Sequence, residues 1–123
     1  MTREGTVPAV GFDLLEIERL ERALERRPGL AKRLFWDGEL AYSHSRARPG
    51  QHLAARFAAK EAVTKALGLQ ALVPRDVEVL GGGVEVGLRL HGAAAARAAE
   101  LGVDVSVSLT HSRALAGAVA VIT

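Results

Sequence analysis

Val7 to Phe12 is an apolar run with a glycine near its end, too short for a helix, and it predicts a buried strand. From Glu16 the apolar positions Ile17, Leu20, Ala23 and Leu24 recur at helical spacing with charges between them, which predicts a first helix. Pro28-Gly29 stops it. A short helix over Leu30 to Leu34 follows, Asp37 can cap a further turn through Tyr42, and Arg46 to Gly50, with Pro49, reads as an exposed loop. Gln51 to Leu67 is the strongest helix in the chain, rich in Ala and free of Gly and Pro, with Gly68 where a left-handed cap belongs. Val77 to Leu80 and Val84 to Leu90 alternate around Gly81-Gly82-Gly83, which predicts a hairpin. Gly92 to Leu101 is a further helix ended by Gly102. Val105, Val107 and Leu109 alternate with Ser106, Ser108 and Thr110 in a strand, and Gly117 to Ile122 supplies the last one. With no repeat and no linker, the mixed order predicts an α+β fold, a single compact domain over 1–123 in which an antiparallel sheet packs against the long helix.

Composition narrows the function classes. A chain of 123 residues has material for one core. An aromatic content of 4% leaves little from which to build a stacking platform for single-stranded nucleic acid, and no Cys means no disulfide, zinc-thiolate or thiol nucleophile. Apolar stretches break well before the roughly 18 residues of a membrane span, and MTREGTVPAV lacks the layout of a signal peptide, so a cytoplasmic protein without a membrane partner is expected. Net charge is only +2, yet Arg26, Arg27, Lys32, Arg33, Arg46, Arg48 and Arg56 face only Asp37 and Glu39 along their stretch. That stretch is a candidate patch for an acidic partner.

Two carboxylates stand in unusual places. Asp13 follows the first predicted strand, at a strand-to-helix junction where a charge can meet a ligand; Asp13-Leu14-Leu15-Glu16 also has the spacing of a capping box. At 100° per residue, Glu61 and Lys65 fall within the stripe of Leu53, Ala54, Phe57 and Ala58, although a Glu–Lys pair four apart is also an ordinary surface stabiliser. A buried carboxylate costs several kcal/mol unless it is paired or holds a metal. Asp13 and Glu61 would supply the one or two carboxylates that magnesium takes beside phosphates and waters. Lys60, Lys65 and Arg56 could neutralise phosphates, and His111, at the end of the Ser/Thr-faced strand, could donate to one. His44, His52 and His91 show no metal-ligand spacing and read as surface. No P-loop, dinucleotide fingerprint, nucleophile elbow or zinc-protease motif is present.

Three blocks resemble the holo-acyl-carrier-protein synthases, the short bacterial branch of the 4'-phosphopantetheinyl transferases. Gly11-Phe12-Asp13-Leu14-Leu15-Glu16-Ile17-Glu18-Arg19 is similar to their opening, and Arg56-Phe57-Ala58-Ala59-Lys60-Glu61-Ala62-Val63-Thr64-Lys65-Ala66-Leu67-Gly68 to their central helix. Val105 to Ser112 is similar to their third block. The resemblance implies transfer of 4'-phosphopantetheine from coenzyme A to a serine of apo-acyl carrier protein, with magnesium, in a homotrimer, as a step of fatty acid biosynthesis. It also implies Asp13 and Glu61 as metal ligands, Arg56, Lys65 and His111 around the nucleotide and its phosphates, and Arg19 at the carrier protein; removal of the serine proton makes Glu61, as ligand or through a metal-bound water, the candidate base. Arg26, in the basic stretch, is a second candidate there. The family's G-K-P turn between the middle strands is Gly83-Val84-Glu85 in this chain. A metal-dependent phosphodiesterase usually needs more acidic ligands than these two, and a basic nucleic-acid module leaves Asp13 and Glu61 unexplained.

Overall fold

The computed structural model describes residues 10–123, so positions 7–9 of the first predicted strand lie outside it. Strand β1 (Val10–Glu16) leads into α1 (Ile17–Arg26), followed by α2 (Leu30–Leu34), α3 (Asp37–His44) and the long α4 (Pro49–Ala66). A single 3-10 turn at Pro74–Asp76 precedes the hairpin of β2 (Val77–Gly82) and β3 (Glu85–Leu90); α5 (Gly92–Leu101), β4 (Val105–His111) and β5 (Leu115–Ile122) complete the order. The strands form two antiparallel sheets, β1-β5-β4 and β2-β3, rather than one.

Helix α4 lies across the three-stranded sheet, and small residues on both sides set how closely. Ala58, Ala59, Ala62 and Ala66 are buried against Ala118 and Ala120 of β5. Gly11 of β1 passes so near α4 that a Cβ there would overlap the Ala62 carbonyl oxygen. The Ala-rich helix is therefore a packing helix, its side chains short so that the sheet backbone can approach. A second cluster of Ile17, Leu20, Phe35, Leu53 and Ala116 holds α1, α2 and the start of α4.

Strand alternation sorts the residues of the sheet into two faces. Gly11, Asp13 and Leu15 pair with Ala120, Ala118 and Ala116, and across β5 these face Val107, Leu109 and His111, all on the α4 side. Val10, Phe12, Leu14 and Val121 occupy the opposite face and are exposed, Phe12 at 60%.

Three local expectations change. The first strand runs on to Glu16, which is the N-cap position of α1 without a side-chain cap bond, so Asp13 is a mid-strand residue and the capping-box alternative is removed. Pro49 and Gly50 are the first helical residues of α4 rather than loop, as a proline at the first position allows. Lys60 is fully buried, its Nζ bonded to Glu39 Oε1 at 3.0 Å, the Pro74 carbonyl at 2.9 Å and the Val77 carbonyl at 2.5 Å. Glu39 also accepts from the backbone N–H of Trp36 at 2.8 Å and of Val79 at 3.0 Å, so the pair is saturated and ties α3, α4 and β2 together.

Candidate active site

Asp13 and Glu61 meet in one groove of about 430 Å3, lined also by Leu15, Arg19, Leu20, Ala23 and Phe57. Strand β1 brings Asp13 to the α4 side of the sheet, and α4 brings Glu61 to the same place from above. The expected pairing of Glu61 with Lys65 along the helix is not the one formed. Lys65 Nζ instead reaches Asp13 Oδ1 and the Phe12 carbonyl, each at 3.2 Å. Burial first, and then the Asp13 charge, push the Glu61 carboxyl above its ordinary range, with Lys65 acting against them. Two half-buried carboxylates that repel one another, with one lysine bonded to the first of them, are a donor set that suits a hard cation completing its shell with phosphate and water. Among the described residues no cluster of three or more His, Asp or Glu could hold an ion by protein ligands alone. Magnesium, which uses few protein carboxylates, fits these residues; a caged transition metal does not.

A second concavity of about 140 Å3 opens between α3, α4, β4 and the tip of the hairpin, lined by Tyr42, His52, Arg56, Gly82, Leu109 and His111 among others. Arg56 is 2% exposed and donates through its terminal nitrogens to the carbonyls of Val79 and Gly81, so the helix fixes the hairpin through it. Its Nε has no partner, and burial lowers its pKa from the ordinary arginine value. Tyr42 stacks against this guanidinium at 4.4 Å and against that of Arg46 at 4.7 Å, and a Cβ at Gly82 would overlap the Tyr42 ring. His52 and His111 meet edge to face at 5.2 Å.

Asp13, Glu61, Lys65 and Arg19 thus converge at the groove, and Arg56 and His111 at the concavity one and a half turns back along α4. Arg26 lines neither; it is exposed on the last turn of α1. Lys60, taken with the phosphate-neutralising group, is internal instead. The basic stretch is also not one exposed patch, because Arg56 is buried and Arg48 makes a two-toothed pair with Glu21 at 2.8 and 3.1 Å. His52, read from the sequence as surface, is half-buried in the wall of the concavity, and Tyr42 beside it was not singled out at all. His52 precedes Arg56 by one helical turn, a spacing that puts both on one side of α4 and could have flagged it.

The sequence model of the 4'-phosphopantetheinyl transferase superfamily matches residues 9–120. The chain is 49% identical over 118 residues to the holo-[acyl-carrier-protein] synthase of Moorella thermoacetica, covering 91% of each chain. It is equally 49% identical over 122 residues to that of Streptomyces coelicolor, covering 94% of this chain and 97% of the relative. Among solved structures, the ACPS-CoA complex of Chronobacterium ammoniagenes superposes with a TM-score of 0.80 at 28% identity, over 93% of this chain and 95% of that one. The acyl carrier protein synthase of Mycobacterium tuberculosis superposes with a TM-score of 0.72 at 32% identity, over 95% and 97%. With the model match spanning both carboxylates, Arg56 and His111, this chain belongs to the 4'-phosphopantetheinyl transferase superfamily.

Proposed function

We propose that the chain is a holo-acyl-carrier-protein synthase: it transfers 4'-phosphopantetheine from coenzyme A to a serine of apo-acyl carrier protein, releasing adenosine 3',5'-bisphosphate, in fatty acid biosynthesis. The observation that carries the reading is a single helix, α4, presenting Glu61 beside Asp13 at one groove and Arg56 beside His111 at the next concavity.

Asp13 and Glu61 would hold magnesium, which when bound neutralises the diphosphate and orients it for displacement. The serine hydroxyl attacks the phosphorus bearing the pantetheine arm, and the bond to the phosphate of the adenosine moiety breaks. Glu61, directly or through a water, would accept the serine proton. Lys65, already bonded to Asp13, draws the phosphates toward the carboxylates without leaving two like charges to face them alone. Arg56 and His111 hold the nucleotide end, the buried guanidinium being a cation already stripped of water. Arg19 borders the groove and is exposed, where it would meet an acidic carrier protein; Arg26, exposed on the same helix, extends that surface.

The chain acts as a single domain that works in a homotrimer. Supporting this, the outer face of the sheet presents Val10, Phe12, Leu14 and Val121 to solvent, an apolar stripe of the kind that copies of a chain cover. Among the described residues no helix is long and apolar enough to cross a membrane, and we assign the protein to the cytoplasm, where coenzyme A and carrier protein are joined. The test is to incubate the protein with coenzyme A, magnesium and apo-acyl carrier protein and weigh the carrier. A phosphopantetheine adduct on its serine is expected, lost with Asp13→Ala or Glu61→Ala; an unmodified carrier under all conditions overturns the assignment.

A further inference from the structure

His52 is the one imidazole of the α4 concavity to which the transfer reaction gives no task. It is half-buried on α4, edge-on to Tyr42 at 5.7 Å and to His111 at 5.2 Å. The permanently charged groups that face it are cationic, Arg56 from its own helix and Arg46 from the segment after α3, and a second imidazole, His111, faces it from β4. Tyr42 comes from α3, and the hairpin contributes only Gly82, Gly83 and Val86 to the wall. Among the described residues no carboxylate lines the concavity, and Glu39, the buried acid that acts on Arg56, is committed to Lys60 and two backbone amides. Arg56 spends its terminal nitrogens on neutral carbonyls and keeps Nε unpartnered. A cationic cavity built this way binds an anion without a further charge having to be dehydrated.

Burial first, and then the neighbouring His111, Arg46 and Arg56, hold His52 neutral to lower pH than an ordinary histidine. A phosphate monoester reverses that field, since its second ionisation lies near pH 6 and it enters as a dianion at neutral pH. Coenzyme A carries one such group, on its ribose, whereas its diphosphate bridge has already lost its protons. We propose that His52 is a binding residue for the 3'-phosphate of the coenzyme, neutral in the free protein and protonated when that monoester occupies the concavity, so that nucleotide binding takes up a proton. This rests on the coenzyme A reading of the concavity given above.

The test is calorimetry in two buffers of different protonation enthalpy at neutral pH, with coenzyme A, adenosine 3',5'-bisphosphate and dephospho-coenzyme A as ligands. Proton uptake is expected with the first two and should fall sharply with dephospho-coenzyme A. His52→Gln should abolish most of the uptake and weaken coenzyme A binding about tenfold at about pH 6.5, with the gap closing toward about pH 8.5 and little change for dephospho-coenzyme A. Because the variant could perturb folding, the His52 ring is also titrated by NMR in the unmodified protein, where saturation with adenosine 3',5'-bisphosphate should raise its pKa by about one unit or more. A His52 pKa that does not move, or equal uptake by the variant or with dephospho-coenzyme A, overturns the inference while leaving the transferase assignment standing. Failure of the unmodified protein to bind coenzyme A overturns both.

Discussion

Burial and the Asp13 charge both raise the pKa of Glu61, and Lys65 alone opposes them. A carboxyl whose folded pKa lies above its unfolded value contributes fully to stability only below the unfolded value, and loses that contribution as pH rises through the folded one. At neutral pH ionised Glu61 therefore costs the metal-free fold stability. Glu61→Gln should melt higher than the unmodified protein at pH 7 while losing turnover, and magnesium should raise the melting temperature of the unmodified protein but not of the variant; calorimetric melts with and without magnesium check both. Burial also pushes the Lys60 pKa down, against the pull of Glu39, yet every donor has a partner, so the pair is costly to break from one side. Lys60→Met leaves Glu39 charged and dry and should cost about 3–5 kcal/mol, more than the double variant with Glu39→Gln, as measured by urea unfolding. For His52 the sign is the reverse of that for Glu61: its folded pKa is depressed, so stability is full above about pH 6.5 and falls as protons bind below it. Part of the loss in melting temperature between neutral and mildly acidic pH should disappear in His52→Gln.

Helix α1 and strand β1 divide recognition from chemistry. The apolar side of α1 buries Ile17 and Leu20, which leaves Glu18, Arg19, Arg22 and Arg26 outward, and Glu18 already pairs with Arg22 at 2.6 Å. Arg19 makes no such pair among the described residues and borders the carboxylate groove. Arg19→Glu should raise the Michaelis constant for carrier protein at least about tenfold, roughly 1.4 kcal/mol, with that for coenzyme A nearly unchanged. Steady-state kinetics with each substrate varied in turn, repeated at high salt, will separate steering from contact, since exposed charges are screened within about 3 Å at 1 M. The spacing Asp13 to Glu16 was legible as a helix start because caps are read locally. What keeps these residues in strand is pairing with β5, where Asp13 opposes Ala118 and Glu16 opposes Leu115, a partner about a hundred residues on in sequence.

For the molecule as a whole, the outer sheet face is the feature a lone protomer does not explain. Burying a side chain such as Phe12 contributes about 1.5–3 kcal/mol, and the proposed trimer would bury Val10, Leu14 and Val121 with it. Phe12→Asp should dissociate the proposed trimer and remove activity while each protomer keeps its helical circular dichroism, which light scattering and the carrier assay will read together. An unmodified protein that scatters as an active monomer would contradict the trimer.

The elements themselves were determined by the sequence. Alternation over Val105 to Leu109, the glycine after Leu101 and the uninterrupted Ala-rich run before Gly68 are local signals, and each marks an observed element to within a residue or two. Residues of both hollows were named by the motif blocks, Asp13 and Glu61 of the groove and Arg56 and His111 of the concavity. Tertiary structure decided what those charges face. Ala-rich surroundings gave no measure of depth, because alanine is equally at ease inside and out, so only packing against β5 and β2 separates buried Lys60 from exposed Lys65 five residues on. His52 likewise became part of a site only when α3, β4 and the hairpin closed around it. A charge's partners are set by distance in space, and a single sequence records distance only along the chain.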